Sequence, residues 1–314
     1  MVNIQKCAII GCGFVGSTTA FSLIKNGVFS EMVLIDQNRE KAEGEAMDLN
    51  HGVPFSKPCK IYAGSYDDIS DCYLIIIAAG ANQKPGESRI DLVNKNTKIL
   101  KNIIPEITKR NKECILLILS NPVDILTYIT LKISGLPKNQ VIGSGTVLDT
   151  ARLKYLLSTN LNVDSRNIHA FIIGEHGDSE LAVWSSANVS GIDLSEFCNL
   201  RKIENSQQMM NNLYTQVQKS AYKIIEKKGA TYYAVAMAAS RIIESIVRNE
   251  HSVLTVSCYI DNHYGLNDIC MGLPAIVGKN GIENVLDIPL SENEKQKLID
   301  SSATLKEILT QIEL

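Results

Sequence analysis

A chain of 314 residues has room for two domains of ordinary size, each with a sizeable apolar core. Its 31 basic and 34 acidic residues leave a formal charge of -3, too little to attract nucleic acid or an anionic membrane, so small molecules and other protein chains are the expected partners. No apolar run approaches the roughly 18 residues of a membrane helix, no signal-peptide apolar region precedes the first strand pattern, and the eight cysteines form no Cys-x-x-Cys pair; a cytoplasmic protein with reduced cysteines and no metal site is expected.

Short apolar runs alternate with amphipathic stretches through the first 145 residues. KCAIIG reads as a strand followed by a helix over 14–27, MVLID as a strand followed by a helix over 38–49, and CKIYAG as a third strand. CYLIIIAA then leads to a helix over 89–110, CILLIL to one over 122–134, and QVIG closes the series. Strands of unbroken Ile, Leu and Val are buried on both faces, as in a parallel sheet covered by helices. The rhythm predicts a doubly wound α/β (Rossmann) domain over 1–145.

From residue 146 the pattern changes. A helix over 146–158 precedes strands in NIHAFIIG, SVLTVSCYI and DICMGLPAIVG, with long helices near 207–227 and 231–248. Ser291-x-x-Glu294 is a capping box that opens a terminal helix, in which Leu298, Leu305, Leu309 and Ile312 keep helical spacing. This mixture suits an α+β domain over 146–314.

Gly11-Cys12-Gly13-Phe14-Val15-Gly16 is a G-x-G-x-x-G placed between a strand and a helix. The glycines allow a tight turn and close approach to a pyrophosphate, and the helix N-terminus favours its negative charge. The second strand ends in Asp36, 20 residues after Gly16, where a carboxylate accepts hydrogen bonds from ribose hydroxyls and repels a 2′-phosphate. NAD is therefore expected rather than NADP. Cys12 raises a rival from another class, a catalytically silent NAD-binding or redox-sensing protein, since a helix N-terminus lowers a thiol pKa.

The chemistry falls further along. In GEHGDSE, His176 stands between glycines, and in GSGTVLDTAR, Asp149 and Arg152 lie at i and i+3 on one helix face. A lone histidine is more often structural, and such a pair can be a plain surface ion pair. Together, however, they make a proton donor, a carboxylate to orient it, and a guanidinium that matches a substrate carboxylate through two parallel hydrogen bonds. Hydride from NADH and a proton from histidine, delivered to a substrate anchored by its carboxylate, amount to 2-keto acid reduction.

Gly11–Gly16, AGANQKPGESR, SNPVD, GSGTVLDTAR, GEHGD and KKGATYYA occur in the order of the L-lactate and malate dehydrogenase family, and essentially the whole chain resembles that family, its bacterial L-lactate members most. The resemblance implies His176 as proton donor and acceptor, Asp149 as its partner, and Arg152 as carboxylate anchor. Asn121 is implied near the carbonyl and the nicotinamide, and Arg89 as the group that polarises the carbonyl when the loop over 80–90 closes as a lid. Gly80, Ala81 and Val15 would lie by the nicotinamide, Asp36, Lys41 and Tyr66 by the adenosine, and Gly11, Gly13, Gly16 and Ser144 would complete the NAD site.

Gln83 stands where the malate enzymes carry arginine, and Thr231 matches the threonine of the lactate enzymes. Both imply pyruvate and L-lactate. A second carboxylate would be buried without a partner, at a cost of roughly several kcal/mol. A 2-hydroxy acid dehydrogenase with a wider pocket is the near alternative. The resemblance further implies a homotetramer, and fructose 1,6-bisphosphate as an allosteric effector held by His169 and, in place of the relatives' arginine, Lys154.

Overall fold

The computed structural model describes residues 2–81, 86 and 88–312, apart from the side chain of Arg89. Chain order begins β1 (Asn3–Ile10), α1 (Phe14–Asn26), β2 (Glu31–Ile35), α2 (Arg39–Gly52), β3 (Lys60–Ala63), β4 (Cys72–Ile77), α3 (Arg89–Thr108), β5 (Ile115–Ile118), α4 (Val123–Ser134) and β6 (Val141–Gly143). The six strands pair in parallel in the order β3-β2-β1-β4-β5-β6, a doubly wound sheet whose strand order reverses between β1 and β4.

Side-chain alternation accounts for both helical layers. Ala8, Ile10, Ile75, Ile77, Leu116 and Ile118 face one side and pack with Leu100 and Ile104 of α3 and Ile125 and Ile129 of α4. Cys7, Ile9, Leu74, Ile76, Ile115 and Leu117 face the other and pack with Ala20 and Leu23 of α1. Strands buried on both faces must be apolar at every position, which is how they read in the sequence.

The chain continues with α5 (Val147–Leu161), β7 (Ile168–Ile173), β8 (Leu181–Val189), β9 (Ile192–Asp193), α6 (Leu194–Leu200), α7 (Ser206–Lys228), α8 (Tyr233–Val247), β10 (Ser252–His263), β11 (Leu266–Gly278), β12 (Gly281–Val285) and α9 (Glu292–Thr310). β10, β11 and β12 extend the first sheet through an antiparallel pairing of β10 with β6, making nine strands, while β7, β8 and β9 form a separate antiparallel sheet. α8 returns to the N-terminal half and packs on α1. The expected helix over 146–158 runs on to Leu161, ended by Asn162 at φ 51°. Sequence patterning did not reveal β8, β9, β12 or α6. β8 (LAVWSSANV) carries polar serines mid-strand, and β12 (GIENV) has only two large apolar residues, so neither has the unbroken run of a buried strand.

The capping box forms as expected and also joins two elements. The Glu294 carboxylate accepts from the Ser291 N–H (2.8 Å), and its other oxygen accepts from the Trp184 and Ser185 N–H groups of β8 at 2.7 and 3.0 Å. Burial pushes the Glu294 carboxyl up, but the hydrogen bonds from Ser185 and Ser291 outweigh it and hold the group below its ordinary 4.5. The stabilisation that follows is present above about pH 4.5 and is lost as pH falls through the lowered native value. Glu294→Gln should therefore lower unfolding stability by about 1–3 kcal/mol at pH 7. The difference from wild type should shrink at about pH 3, as read from urea unfolding midpoints at the two pH values.

Candidate active site

The carboxyl ends of β1, β2 and β4 open into a cleft of about 540 Å³ lined by Gly11, Gly13, Asp36, Lys41, Tyr66 and Gly80, among others. Gly11 turns there with φ +98°, and a Cβ on it would strike the backbone of Ala78 and Ala79. A Cβ on Gly16 would strike the carbonyl of Gly11, so these two positions are closed to larger residues by packing. Gly13 differs: a Cβ there would meet nothing within 4 Å, which leaves bare backbone at the start of α1 for an anionic group. The Asp36 carboxylate is fixed at the cleft edge by the N–H groups of Cys12 (2.7 Å) and Asn38 (2.9 Å). Val15 lies in the first turn of α1, and Ser144 follows β6, its N–H donating to Ile118 O at 2.9 Å. These residues suit a dinucleotide: the open backbone at Gly13 could receive phosphates, and the fixed Asp36 carboxylate could accept from a ribose.

Cys12 does not behave as the rival reading requires. Its thiol is buried (1% exposed) and points toward Ile35 O at 3.7 Å. Burial, with Asp36 nearby, pushes it up to about 12. A thiol so placed is not a thiolate at neutral pH, and the helix N-terminus does not reverse that.

Asp149, Arg152 and His176 are brought together from two elements. α5 presents Asp149 and Arg152 on one face, and the segment after β7 carries His176. Asp149, 2% exposed, uses both oxygens: Oδ1 accepts from Arg152 Nη1 at 2.7 Å, and Oδ2 lies 2.5 Å from His176 Nδ1. The main chain beside His176 is held from outside, since its N–H donates to Asp124 Oδ2 of α4 at 2.7 Å, and Gly174 exchanges two 2.8 Å backbone hydrogen bonds with Gly272 of β11. Burial opposes the imidazolium, but the charge and hydrogen bond of Asp149, with Asp124 and Glu180, overcome it and raise His176 to about 9. Burial likewise works against the Asp149 anion, and His176 and Arg152 reverse it, leaving Asp149 below its ordinary value. The ion pair of Asp149 and Arg152 is thus buried and shared with the histidine rather than a surface pair.

Three residues that the sequence reading did not single out belong to the neighbourhood. Asn96 of α3, 1% exposed, bonds the N–H of Ala81 through Oδ1 (2.7 Å) and the carbonyl of Asn121 through Nδ2 (2.7 Å), tying the segment after β4 to the segment after β5. Asp124 had a signal, being the one charged residue of VDILTYITL. Glu180, 4% exposed, brings its carboxylate within 4.8 Å of both the His176 ring and the Asp149 carboxylate. Asn121 is exposed in the segment between β5 and α4, and Thr231 is half-buried just before α8. Gln83, with Asn82, Lys84, Pro85, Glu87 and the side chain of Arg89, lies outside the described residues. Lys154 is half-buried on α5, its ammonium pulled down by burial, and His169 is exposed on β7, against which α5 packs.

Comparison with known proteins agrees with this geometry. The lactate/malate dehydrogenase NAD binding domain matches residues 5–143, and the lactate/malate dehydrogenase alpha/beta C-terminal domain matches residues 146–313. The chain is 56% identical to an L-lactate dehydrogenase of Acetivibrio thermocellus over 99% of this chain and 98% of the relative. It is 53% identical to L-lactate dehydrogenase 1 of Clostridium acetobutylicum, over 98% of each. The solved minor L-lactate dehydrogenase from Enterococcus mundtii, in its ligands-bound form, superposes with a TM-score of 0.95 at 42% identity, covering 99% of each chain. With both halves matched and such identity over nearly its whole length, the chain belongs to the lactate/malate dehydrogenase family.

Proposed function

We propose that this chain is an NAD-dependent L-lactate dehydrogenase in which His176 exchanges the proton and Arg152 holds the substrate carboxylate. The observation that carries this reading is the single buried carboxylate of Asp149 bonded to both. Arg152 pairs with the carboxylate of pyruvate, which places the keto group toward His176. Asp149 accepts a hydrogen bond from Nδ1–H, leaving the other ring nitrogen to face the substrate. Held at the Gly11–Gly16 turn and Asp36, NADH would supply the hydride for the carbonyl carbon, while the His176 proton passes to the carbonyl oxygen, giving L-lactate and a neutral imidazole. Asn121 and Arg89 steady the oxygen as charge develops, and Gln83 with Thr231 limits the pocket to the methyl side of pyruvate. Residues 1–145 bind the cofactor and residues 146–314 supply the anchoring and proton-transfer groups.

Self-association into a homotetramer is supported by large apolar side chains left exposed, among them Phe21 of α1, Met47 of α2, Phe55 and Met237 of α8. A groove of about 490 Å³ runs beside Phe21, Leu49 and Phe55. Patches of this kind mark interaction surfaces. Among the described residues no helix is long and apolar enough to cross a membrane, and we place the enzyme in the cytoplasm. Fructose 1,6-bisphosphate is proposed as effector at Lys154 and His169, with lysine giving a point charge where arginine would give a fork.

His176→Asn should cost on the order of 100- to 10,000-fold in turnover with pyruvate while NADH binding, followed by fluorescence, persists. In the wild type, kcat/KM for pyruvate should fall as pH rises through about 9, because the imidazolium is lost there. Turnover unchanged in the variant would exclude His176 as donor.

Gln83→Arg should move the ratio of kcat/KM values from pyruvate toward oxaloacetate by supplying a counter-charge for the second carboxylate. The expected gain is on the order of tenfold or more, since each 1.4 kcal/mol is tenfold; an unmoved ratio would mean that Gln83 does not face the substrate.

Lys154→Arg should lower the fructose 1,6-bisphosphate concentration that half-maximally reduces the pyruvate KM. A flat titration in both proteins would remove the effector site, and equal midpoints would show that the fork adds nothing.

A further inference from the structure

Glu180 is a buried carboxyl that the mechanism above does not use. Its backbone is pinned on both sides: the N–H donates to Gly177 O at 3.2 Å, and the carbonyl accepts from the Tyr214 hydroxyl of α7. The side chain is 4% exposed, and its Oε1 has no hydrogen-bond partner among the described residues. A buried polar atom left unbonded is destabilising, so a glutamate kept for packing alone would be worse than an apolar residue of the same size. What it does have is position, since its carboxylate, the His176 ring and the Asp149 carboxylate all lie within 4.8 Å of one another.

We propose that Glu180 is a positioning residue for the proton transfer: its sealed carboxyl, facing the Asp149–His176 pair, sets how firmly His176 keeps its proton. This rests on the reading of His176 as proton donor. The groups facing Glu180 are Asp149 and Arg152 from α5, His176 and Asp178 from its own segment, and Tyr214 from α7, while Asp124 from α4 faces His176 as well.

Burial and the Asp149 charge push Glu180 up to about 8, which His176 and Arg152 only partly oppose. In the neutral range the carboxyl is therefore protonated and adds no charge beside Asp149. As pH rises through about 8 it ionises, and the new negative charge favours the imidazolium just where that form would begin to be lost. The Glu180 charge thus helps carry the donor form of His176 to higher pH. Glutamine at this position keeps the shape and removes the charge, which must lower the His176 value.

The test is steady-state kcat/KM for pyruvate reduction and for lactate oxidation across about pH 6–10 in wild type, Glu180→Gln and Glu180→Asp, with NADH binding by fluorescence as the folding control. In Glu180→Gln the alkaline limb of reduction and the acid limb of oxidation should both move to lower pH by about one unit, with Glu180→Asp moving less. At about pH 8.5 reduction should thus fall several-fold while oxidation rises, opposite changes that loss of structure cannot produce. Superimposable profiles in wild type and Glu180→Gln, or parallel loss in both directions, would overturn the proposal. If His176→Asn keeps its turnover, the reading beneath it fails instead, and this proposal falls with it.

Discussion

One carboxylate shared by two cations organises the catalytic half of this protein. Burying Asp149 as an isolated anion would cost several kcal/mol, yet Arg152 at 2.7 Å and His176 at 2.5 Å each occupy one of its oxygens and reverse that cost. The arrangement fixes three things together. It orients the imidazole, it aims the guanidinium from the same helix face, and it keeps the histidine charged. Taking away the carboxylate would leave the half-buried guanidinium and imidazole without their shared counter-charge, so Asp149 is a structural requirement as much as a chemical one.

That carboxylate can serve only if distant segments meet around it, and the fold secures this by extending one sheet. β10 joins the edge of the parallel sheet at β6, and Thr146, just before α5, donates its hydroxyl to Ile172 O of β7 at 2.6 Å. The Gly174–Gly272 bridge then fixes the start of the His176 segment, and Gly272 has to be a glycine because a Cβ there would press on Thr146 Oγ1 at 2.5 Å. Asp124 completes the link from the N-terminal half by accepting the His176 N–H. Burial pushes Asp124 up to about 6, although the contact with His176 favours its ionised form, so the tie is charged in the neutral range. Residues 124, 149 and 176 thus converge through backbone hydrogen bonds as much as through their own side chains.

The sequence was most legible where burial left little choice. The inner strands had to be apolar on both faces, and the unbroken run of β4 gave it away. Asp36 could be read because the fold places a carboxylate at a fixed interval from the glycine turn, and it does sit at the cleft edge. Orientation was the harder question. Nothing in Gly-Cys-Gly tells which way the thiol turns, and Cys12 turns inward to Ile35 O, which removes the reactivity that its position suggested. Asn96 and Glu180 were silent for a related reason. One lies on a helix with an ordinary amphipathic pattern and the other at a strand entrance, and only three-dimensional proximity gives them partners. β8 was missed because its serines mimic a loop, although Ser185 in it serves as a tie point for Glu294.

The same charges have a consequence for direction. With His176 raised to about 9, the imidazolium predominates at neutral pH by roughly a hundredfold, since each unit is a factor of ten. In the mechanism proposed above, reduction of pyruvate begins from that form, whereas oxidation of lactate needs the neutral base and must first remove a proton. An active site with only Asp149 beside the histidine would already lean toward reduction. Asp124 increases the lean by adding negative charge near the ring, and Glu180 joins it as its carboxyl ionises through about 8. Under the proposed role of Arg152, substrate binding would act in the same sense: a carboxylate arriving there would bring another negative charge close to the imidazolium and stabilise it further. The burial that makes the carboxylates costly thus also makes the histidine a ready donor, since in a low-dielectric pocket each of them acts on it with little screening.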